Sequence, residues 1–111
     1  MITTHILDIS IGKPAAGIRV SLARVDNARR VSVGSGTTDA EGRLRDLVPK
    51  AAKVNAGVFE LIFETGTYFR ARGVEPFHPQ VTVTVEITDP AQHYHVPLLV
   101  SPYGYTTYRG S

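Results

Sequence analysis

QVTVTVEIT, residues 80–88, alternates apolar and polar side chains over nearly its whole length. The apolar positions are Val81, Val83, Val85 and Ile87. Successive side chains of a strand point to opposite faces of a sheet, so a period of two predicts a strand with one buried face. Most of the stretch is β-branched, which favours a strand over a helix.

The same alternation recurs in both directions along the chain. It is clear in GIRVSLARV, residues 17–25, and in VFELIFET, residues 58–65. Four further strands are predicted near residues 3–8, 31–38, 94–100 and 105–108. Residues typical of turns separate these stretches, and they include Gly12, Pro14, Asp39, Gly42, Gly57, Asp89, Pro90, Pro102 and Gly104.

One stretch, TGTYFRARGV at residues 65–74, breaks the alternation and predicts a short helix. Thr67 is a candidate N-cap and Gly73 a candidate C-terminal stop. About seven or eight strands with one short helix predict an all-β fold, an antiparallel β-sandwich. No repeat or linker divides the chain, so residues 1–111 are expected to form one domain.

Composition limits the classes of function. The 111 residues are 42% hydrophobic and 20% charged, as in a globular protein, and the net charge of +2 does not favour nucleic-acid binding. The absence of cysteine excludes disulfides, thiolate metal sites and cysteine nucleophiles. No apolar run approaches the ~20 residues of a membrane span, and the N-terminal residues do not have the pattern of a signal peptide. We therefore expect a cytoplasmic protein with no membrane partner.

The four histidines differ in context. His5 opens the first predicted strand and His78 lies in a predicted loop, and for both the simplest interpretation is a surface side chain. His93 and His95 share one strand face, whereas Tyr94 and its apolar neighbours take the other. His95 is therefore predicted to point away from its own core, towards solvent, a partner subunit or a pocket.

Several kinds of chemistry find little support in the residues. An H-x-H pair can begin a metal site, but no carboxylate lies in the same stretch, so we expect no metal. Ser111 lacks the strained turn of a nucleophilic serine, and no glycine-rich nucleotide motif occurs, so no cofactor is expected. Arg43 follows a turn glycine and is most simply an exposed loop arginine. Histidines and arginines together nevertheless suit the hydrolysis of an activated ring amide.

The C-terminal stretch HYHVPLLVSPYGYTTYRGS, residues 93–111, closely resembles the end of the 5-hydroxyisourate hydrolases, the transthyretin-related proteins of purine breakdown. The final Tyr-Arg-Gly-Ser is that family's hallmark. THILD and GKPAAG match its opening motif, and TDAEGR matches the segment that carries its arginine. GTYFRARGVEPFHPQVTV matches its helix and the following strand. The resemblance extends over essentially the whole chain.

This resemblance implies a transthyretin-like β-sandwich that forms a homotetramer, a dimer of dimers, with active sites in the channel between dimers. The substrate would be 5-hydroxyisourate, hydrolysed to 2-oxo-4-hydroxy-4-carboxy-5-ureidoimidazoline in urate catabolism. The implied catalytic residues are His5, Arg43 and His95. The implied substrate-binding residues are Tyr108, Arg109, Gly110 and Ser111.

Two alternatives to the enzyme remain at this stage. One is a transthyretin-like carrier of a small ligand without turnover, and the other is a structural sandwich that uses its faces only for protein contacts. The fold alone does not separate them, because one fold can host many functions. The histidines, the arginine and the Tyr-Arg-Gly-Ser tail favour the hydrolase, since transthyretin lacks this set.

Overall fold

The computed structural model describes residues 1–111, which form nine strands and one helix. The strands are β1 (Ile2–Asp8), β2 (Lys13–Pro14), β3 (Arg19–Asp26), β4 (Arg29–Thr37), β5 (Arg43–Leu44), β6 (Gly57–Phe63), β7 (Val81–Ile87), β8 (Tyr94–Ser101) and β9 (Gly104–Thr107). The helix, α1, spans Thr65–Ala71. The predicted all-β architecture with one short helix is confirmed.

The strands form two sheets. The first sheet has the order β2-β1-β8-β9, with β5 also paired to β1, and the second has the order β4-β3-β6-β7. β1 and β8 run parallel, with Ile2 opposite Tyr94 and Asp8 opposite Val100. The local sequence pattern predicted an antiparallel sandwich, but the pairing of β1 with β8 is parallel, so the sandwich is mixed. The strand count rises to nine because β2 and β5 are two-residue strands in segments that the sequence predicted as turn and loop.

Twenty buried apolar residues form one core between the sheets. Phe59, Leu61 and Phe63 of β6 are at most 1% exposed, and they face the apolar side chains of β1 and β8. Val81, Val83 and Ile87 are buried as predicted, so the alternation in residues 80–88 marks the inner face of β7. Sealing this face from water is the main source of the fold's stability.

Helix α1 begins one turn earlier than its predicted cap. The N-cap is Glu64, which makes no side-chain capping hydrogen bond, so the prediction of Thr67 as N-cap is wrong. Gly73 has a φ of +74°, and its N–H donates to the Arg70 carbonyl oxygen at 3.0 Å. That left-handed conformation ends the helix, as predicted for this glycine.

A buried polar contact ties α1 to the end of β1. The Tyr68 hydroxyl donates to the Asp8 carboxylate at 2.9 Å, and Asp8 is only 2% exposed. Burial, reinforced by the contact with Asp8, raises the pKa of Tyr68 to about 12. Tyr68 therefore stays a neutral hydrogen-bond donor throughout the physiological pH range.

The structure contains no helix with the length and apolar character that a membrane span requires. The cytoplasmic location stays a prediction.

Candidate active site

The parallel pairing of β1 with β8 builds one wall of the candidate site. Thr3 lies opposite His95, and His5 lies opposite Pro97. The side chains of these residues point outward, because their neighbours on the same strands, such as Ile6 and Val96, fill the core. The prediction that His95 faces away from its own core is confirmed.

β5 adds the arginine to the same outer face. Arg43 lies opposite His5 across the antiparallel pairing of β5 with β1. The turn before it is rigid, since the Asp39 carboxylate accepts the N–H groups of Glu41 and Arg43, each at 2.9 Å. These backbone hydrogen bonds, that of Arg43 first, hold the pKa of Asp39 below its usual value. Arg43 is a half-buried strand residue rather than an exposed loop arginine.

Gly42 joins this turn to β1. Its φ is +75°, and its carbonyl oxygen accepts the Ile6 N–H at 2.8 Å. A Cβ at this position would lie 2.3 Å from the Ile6 carbonyl oxygen. Only glycine fits here, and the close approach fixes Arg43 relative to His5.

His5 has a defined tautomer. Its Nε2 lies 2.9 Å from the carbonyl oxygen of Glu41. A carbonyl oxygen only accepts hydrogen bonds, so Nε2 carries a proton and donates it. In the neutral ring the lone pair is therefore on Nδ1, which is left free for other chemistry.

His95 is held on one side by a buried threonine. The Thr3 hydroxyl lies 2.8 Å from His95 Nδ1 and 2.8 Å from His93 Nε2. His95 Nε2 has no hydrogen-bond partner within the chain. Burial lowers the pKa of His95, and the positive charges of His93, Arg43 and His5 lower it further. His95 is therefore neutral at pH 7, with one ring nitrogen available to a reactant.

The C-terminal tail closes over β8. Gly110 forms an isolated antiparallel bridge with His95, and its N–H donates to the His95 carbonyl oxygen at 2.8 Å. A Cβ on Gly110 would lie 2.6 Å from the His95 ring, so the backbone packs directly against the imidazole. This packing orders the tail and brings Ser111 to the site.

Arg43, His95 and Ser111 line one cavity of about 350 Å³. The other lining residues are Met1, Thr3, Thr4, Arg45, Asp46 and His93. Methionine is the only apolar side chain among the nine, so the cavity suits a small polar ligand. His5 does not line the cavity, but it lies opposite Arg43 in the pairing of β1 with β5.

Sequence reasoning missed several of these lining residues. A period of two from Arg43 would have pointed to Arg45, but the segment was not recognised as a strand. Thr3 and His93 could not be placed, because their contact spans 90 residues of sequence. Met1 and Asp46 carry no motif.

Tyr108 and Arg109 do not line this cavity. They border a separate one of about 330 Å³ beside β7. The Arg109 guanidinium lies 4.4 Å above the Tyr94 ring, and it donates to the Gln92 side-chain oxygen at 2.9 Å. Within a single chain these two residues are thus directed away from His95, and their substrate-binding roles stay predictions.

No group of three or more histidine, aspartate or glutamate side chains is arranged to hold a metal ion. The ring centroids of His93 and His95 are 6.3 Å apart, and a nitrogen of each ring is taken up by Thr3. The pair therefore forms a hydrogen-bonded cluster through the threonine hydroxyl.

Comparison with known proteins gives a consistent result over the whole chain. A 5-hydroxyisourate hydrolase from Mesorhizobium japonicum is 44% identical over 113 residues, which covers 99% of this chain and 91% of that protein. The solved structure of the Klebsiella pneumoniae 5-hydroxyisourate hydrolase matches at 38% identity with a TM-score of 0.83, covering 99% of this chain and 92% of that one. Transthyretin from Sparus aurata matches at 29% identity with a TM-score of 0.89, covering 98% and 95%.

The solved structures confirm the predicted transthyretin-like sandwich. The family model described as HIUase/Transthyretin family matches residues 2–110, which is nearly the whole chain. Since relatives above 40% identity also align over nearly their full length, this chain belongs to the HIUase/transthyretin family.

Proposed function

We propose that this protein hydrolyses 5-hydroxyisourate to 2-oxo-4-hydroxy-4-carboxy-5-ureidoimidazoline in urate catabolism, with residues 1–111 acting as one domain. The observation that carries the proposal is the meeting of His95, Arg43 and Ser111 in one polar cavity, with His5 beside Arg43. The similarity to 5-hydroxyisourate hydrolases over the full chain supports the same substrate.

The cavity's chemistry agrees with this substrate. 5-Hydroxyisourate is a small, flat oxidised purine with carbonyl oxygens and ring N–H groups around its edge. The guanidinium groups of Arg43 and Arg45 can donate to the carbonyls, and the Asp46 carboxylate can accept from the N–H groups. A volume of about 350 Å³ is at the lower end of the range for small-molecule sites.

His95 is the general base of the proposed mechanism. Its lowered pKa keeps it neutral, and Nε2 has no partner in the chain. It takes a proton from water as the water oxygen bonds to the ring carbonyl carbon. Proton transfer by a positioned imidazole contributes about 10²–10⁴-fold to a rate.

His5 and Arg43 act on the intermediate. Arg43 donates to the carbonyl oxygen as it becomes an oxyanion, an interaction worth about 3–4 kcal/mol at comparable sites. Protonated His5 donates from Nδ1 to the ring nitrogen as the C–N bond breaks, while Nε2 remains bonded to Glu41. The products of ring opening are a carboxylate and an N–H group, and Ser111 would hold the polar edge of the substrate.

We further propose that the enzyme works as a homotetramer, a dimer of dimers. The cavity opens on the outer face of the first sheet, where one chain alone leaves it accessible to water. A second subunit facing this surface would cover it. Tyr108 and Arg109 would then serve a site shared between subunits, as isologous interfaces allow.

The test of the function is the ultraviolet absorbance of 5-hydroxyisourate freshly generated by urate oxidase, with and without the protein. The compound also decays without a catalyst, so rates are compared. Much faster decay, lost in Arg43→Ala, supports the hydrolase. An unchanged rate at micromolar protein rejects it and favours the transthyretin-like carrier of a small ligand.

The pH dependence should reflect the depressed pKa of His95. Only neutral His95 can accept a proton, and its pKa lies below the ordinary value of 6.5. We expect kcat/KM to fall as the pH drops below 6.5, because protonated His95 cannot accept a proton from water. The free energy of unfolding should also decline below pH 6.5, because His95 binds its proton at a higher pH in the unfolded chain than in the folded protein. A loss of kcat/KM on acidification that is centred above pH 7 would contradict the assignment of His95 as base.

Extending the chain beyond Ser111 with a flexible tag should lower kcat/KM strongly. Ser111 lines the cavity, and Gly110 packs against the His95 ring, so added residues would have to pass through the site. The same tag placed before Met1 allows the effects of extending the chain at either end to be compared, since Met1 lines the cavity too. Size-exclusion chromatography should show an unchanged assembly. Full activity of the C-terminally tagged protein would remove the tail from the site.

A further inference from the structure

The hydrogen bonds of Thr3 constrain the protons on two histidines. Its hydroxyl lies 2.8 Å from His95 Nδ1 and 2.8 Å from His93 Nε2, and the residue is 5% exposed. A hydroxyl has one proton to donate. If one ring nitrogen accepts that proton, the other must carry its own proton and donate to the hydroxyl oxygen. The protonation states of the two rings are therefore linked.

Only one of the two arrangements prepares His95 as a base. In it His95 Nδ1–H donates to Thr3, and the Thr3 hydroxyl donates to His93 Nε2, which leaves His95 Nε2 with a free lone pair. In the reverse arrangement His95 Nε2 carries the proton and cannot accept another. Thr3 and His93 together thus decide whether His95 can react.

We infer that Thr3 and His93 form a proton relay with His95, in which the Thr3 hydroxyl carries a proton from the half-buried imidazole to the exposed one. This inference rests on the proposed function. When His95 Nε2 gains a proton from water, the Nδ1–H bond breaks and its proton passes to the Thr3 oxygen. The Thr3 O–H bond breaks in turn, and a new N–H bond forms at His93 Nε2.

The chemistry of the reaction gives the relay a purpose. Opening of the ring amide gives a carboxylate and a ureido nitrogen, which is too weakly basic to take up a proton near neutral pH, so one net proton must leave the site in each turnover. His95 is half-buried and surrounded by positive groups, whereas His93 is exposed to solvent. The relay moves the positive charge to His93, where water can solvate it while the intermediate exists. When the product leaves, His95 Nε2–H gives its proton to the water that enters the site. The proton on His93 Nε2 then returns through Thr3, which restores the Nδ1–H form of His95. Thr3 and His93 are positioning residues, since they act on the substrate only through His95.

Three variants of the full-length protein test the relay by steady-state kinetics. Thr3→Val keeps the shape but removes the hydroxyl, and we expect kcat to fall about tenfold or more with KM within about twofold. Thr3→Ser keeps the hydroxyl and should retain most of the kcat. His93→Gln can still hydrogen-bond Thr3 but cannot take up a proton, and it should also lower kcat. Because His93 is on the surface, this variant tests the relay even if Thr3→Val fails to fold. Wild-type kcat in both Thr3→Val and His93→Gln would overturn the relay and leave the hydrolase intact.

A second measurement needs no substrate. Nitrogen-15 NMR of the imidazoles reports which nitrogen carries the proton in each neutral ring. We expect wild-type His95 to be protonated on Nδ1 and Thr3→Val to shift it towards the Nε2–H form. A wild-type His95 protonated on Nε2 would overturn the relay. This result stands even if the wild-type protein fails to hydrolyse 5-hydroxyisourate, so the two failures can be told apart.

Discussion

His95→Asn is expected to lower kcat/KM for 5-hydroxyisourate by about 10²-fold or more. The asparagine side chain is polar and of similar reach, but it cannot accept a proton from water. The expected loss is that of a positioned general base, which typically contributes about 10²–10⁴-fold. KM should change much less than kcat, because the arginines that bind the substrate remain in place.

His78→Asn is the matched control for this experiment. His78 packs edge-on against Phe77 and Tyr105, with ring centroids 4.9 Å and 5.1 Å away, and it does not line the cavity. The same chemical change there should leave kcat/KM within about twofold of wild type. If His95→Asn keeps more than about a tenth of the wild-type kcat/KM, His95 is not the base.

Gly42→Ala should destabilise the fold strongly. A residue with a side chain costs roughly 1–2 kcal/mol in the left-handed conformation. At a φ of +75° the new Cβ would also lie 2.3 Å from the Ile6 carbonyl oxygen, which belongs to the backbone of β1 and cannot rotate away. We expect a loss of about 3 kcal/mol or more in the free energy of unfolding, measured with urea. Activity should fall as well, because Arg43 and the Glu41 carbonyl that holds His5 both move.

Gly12→Ala separates the cost of the left-handed backbone from the cost of the contact with the Ile6 carbonyl oxygen. Gly12 has a similar φ of +67°, but nothing lies within 4 Å of a Cβ built on it. It should therefore cost only the backbone penalty of about 1–2 kcal/mol and leave the site unchanged. Both variants should be unfolded at the same protein concentration, since assembly affects apparent stability. Equal losses for the two glycines would mean that the contact with Ile6 relaxes freely.

Local sequence patterns were sufficient to predict the long strands and the outward direction of His95. Both depend only on the alternation of side chains along one strand, which neighbouring residues determine. The helix was also located correctly, and Gly73 was recognised as its end, because a left-handed residue leaves a clear local signal. The N-cap was missed because Glu64 makes no side-chain capping contact that a cap motif could reveal.

Strand pairing was not predictable in the same way. Nothing within residues 3–8 or 94–100 shows that these segments lie side by side and parallel, since register depends on packing between distant parts of the chain. For the same reason the sequence does not predict the hydrogen bonds of Thr3 with His93 and His95, or the presence of Arg45 and Asp46 in the cavity. The family resemblance supplied candidate catalytic residues, but it did not indicate that Tyr108 and Arg109 line a different cavity within one chain.

The parallel pairing of β1 with β8 also determines when the site can first exist during synthesis. The second sheet consists of β4, β3, β6 and β7, all contained in residues 19–87, so each of its pairings is available before the chain is complete. β1 has no such local partner for its full length, and Thr3 meets His95 across 92 residues of sequence. When only the first 90 residues have emerged from the ribosome, the nascent chain therefore has much of the scaffold but not the candidate active site. The candidate active site can form only once β8 and β9 have emerged, and the exposed flank of β1 must stay free of other nascent chains until then.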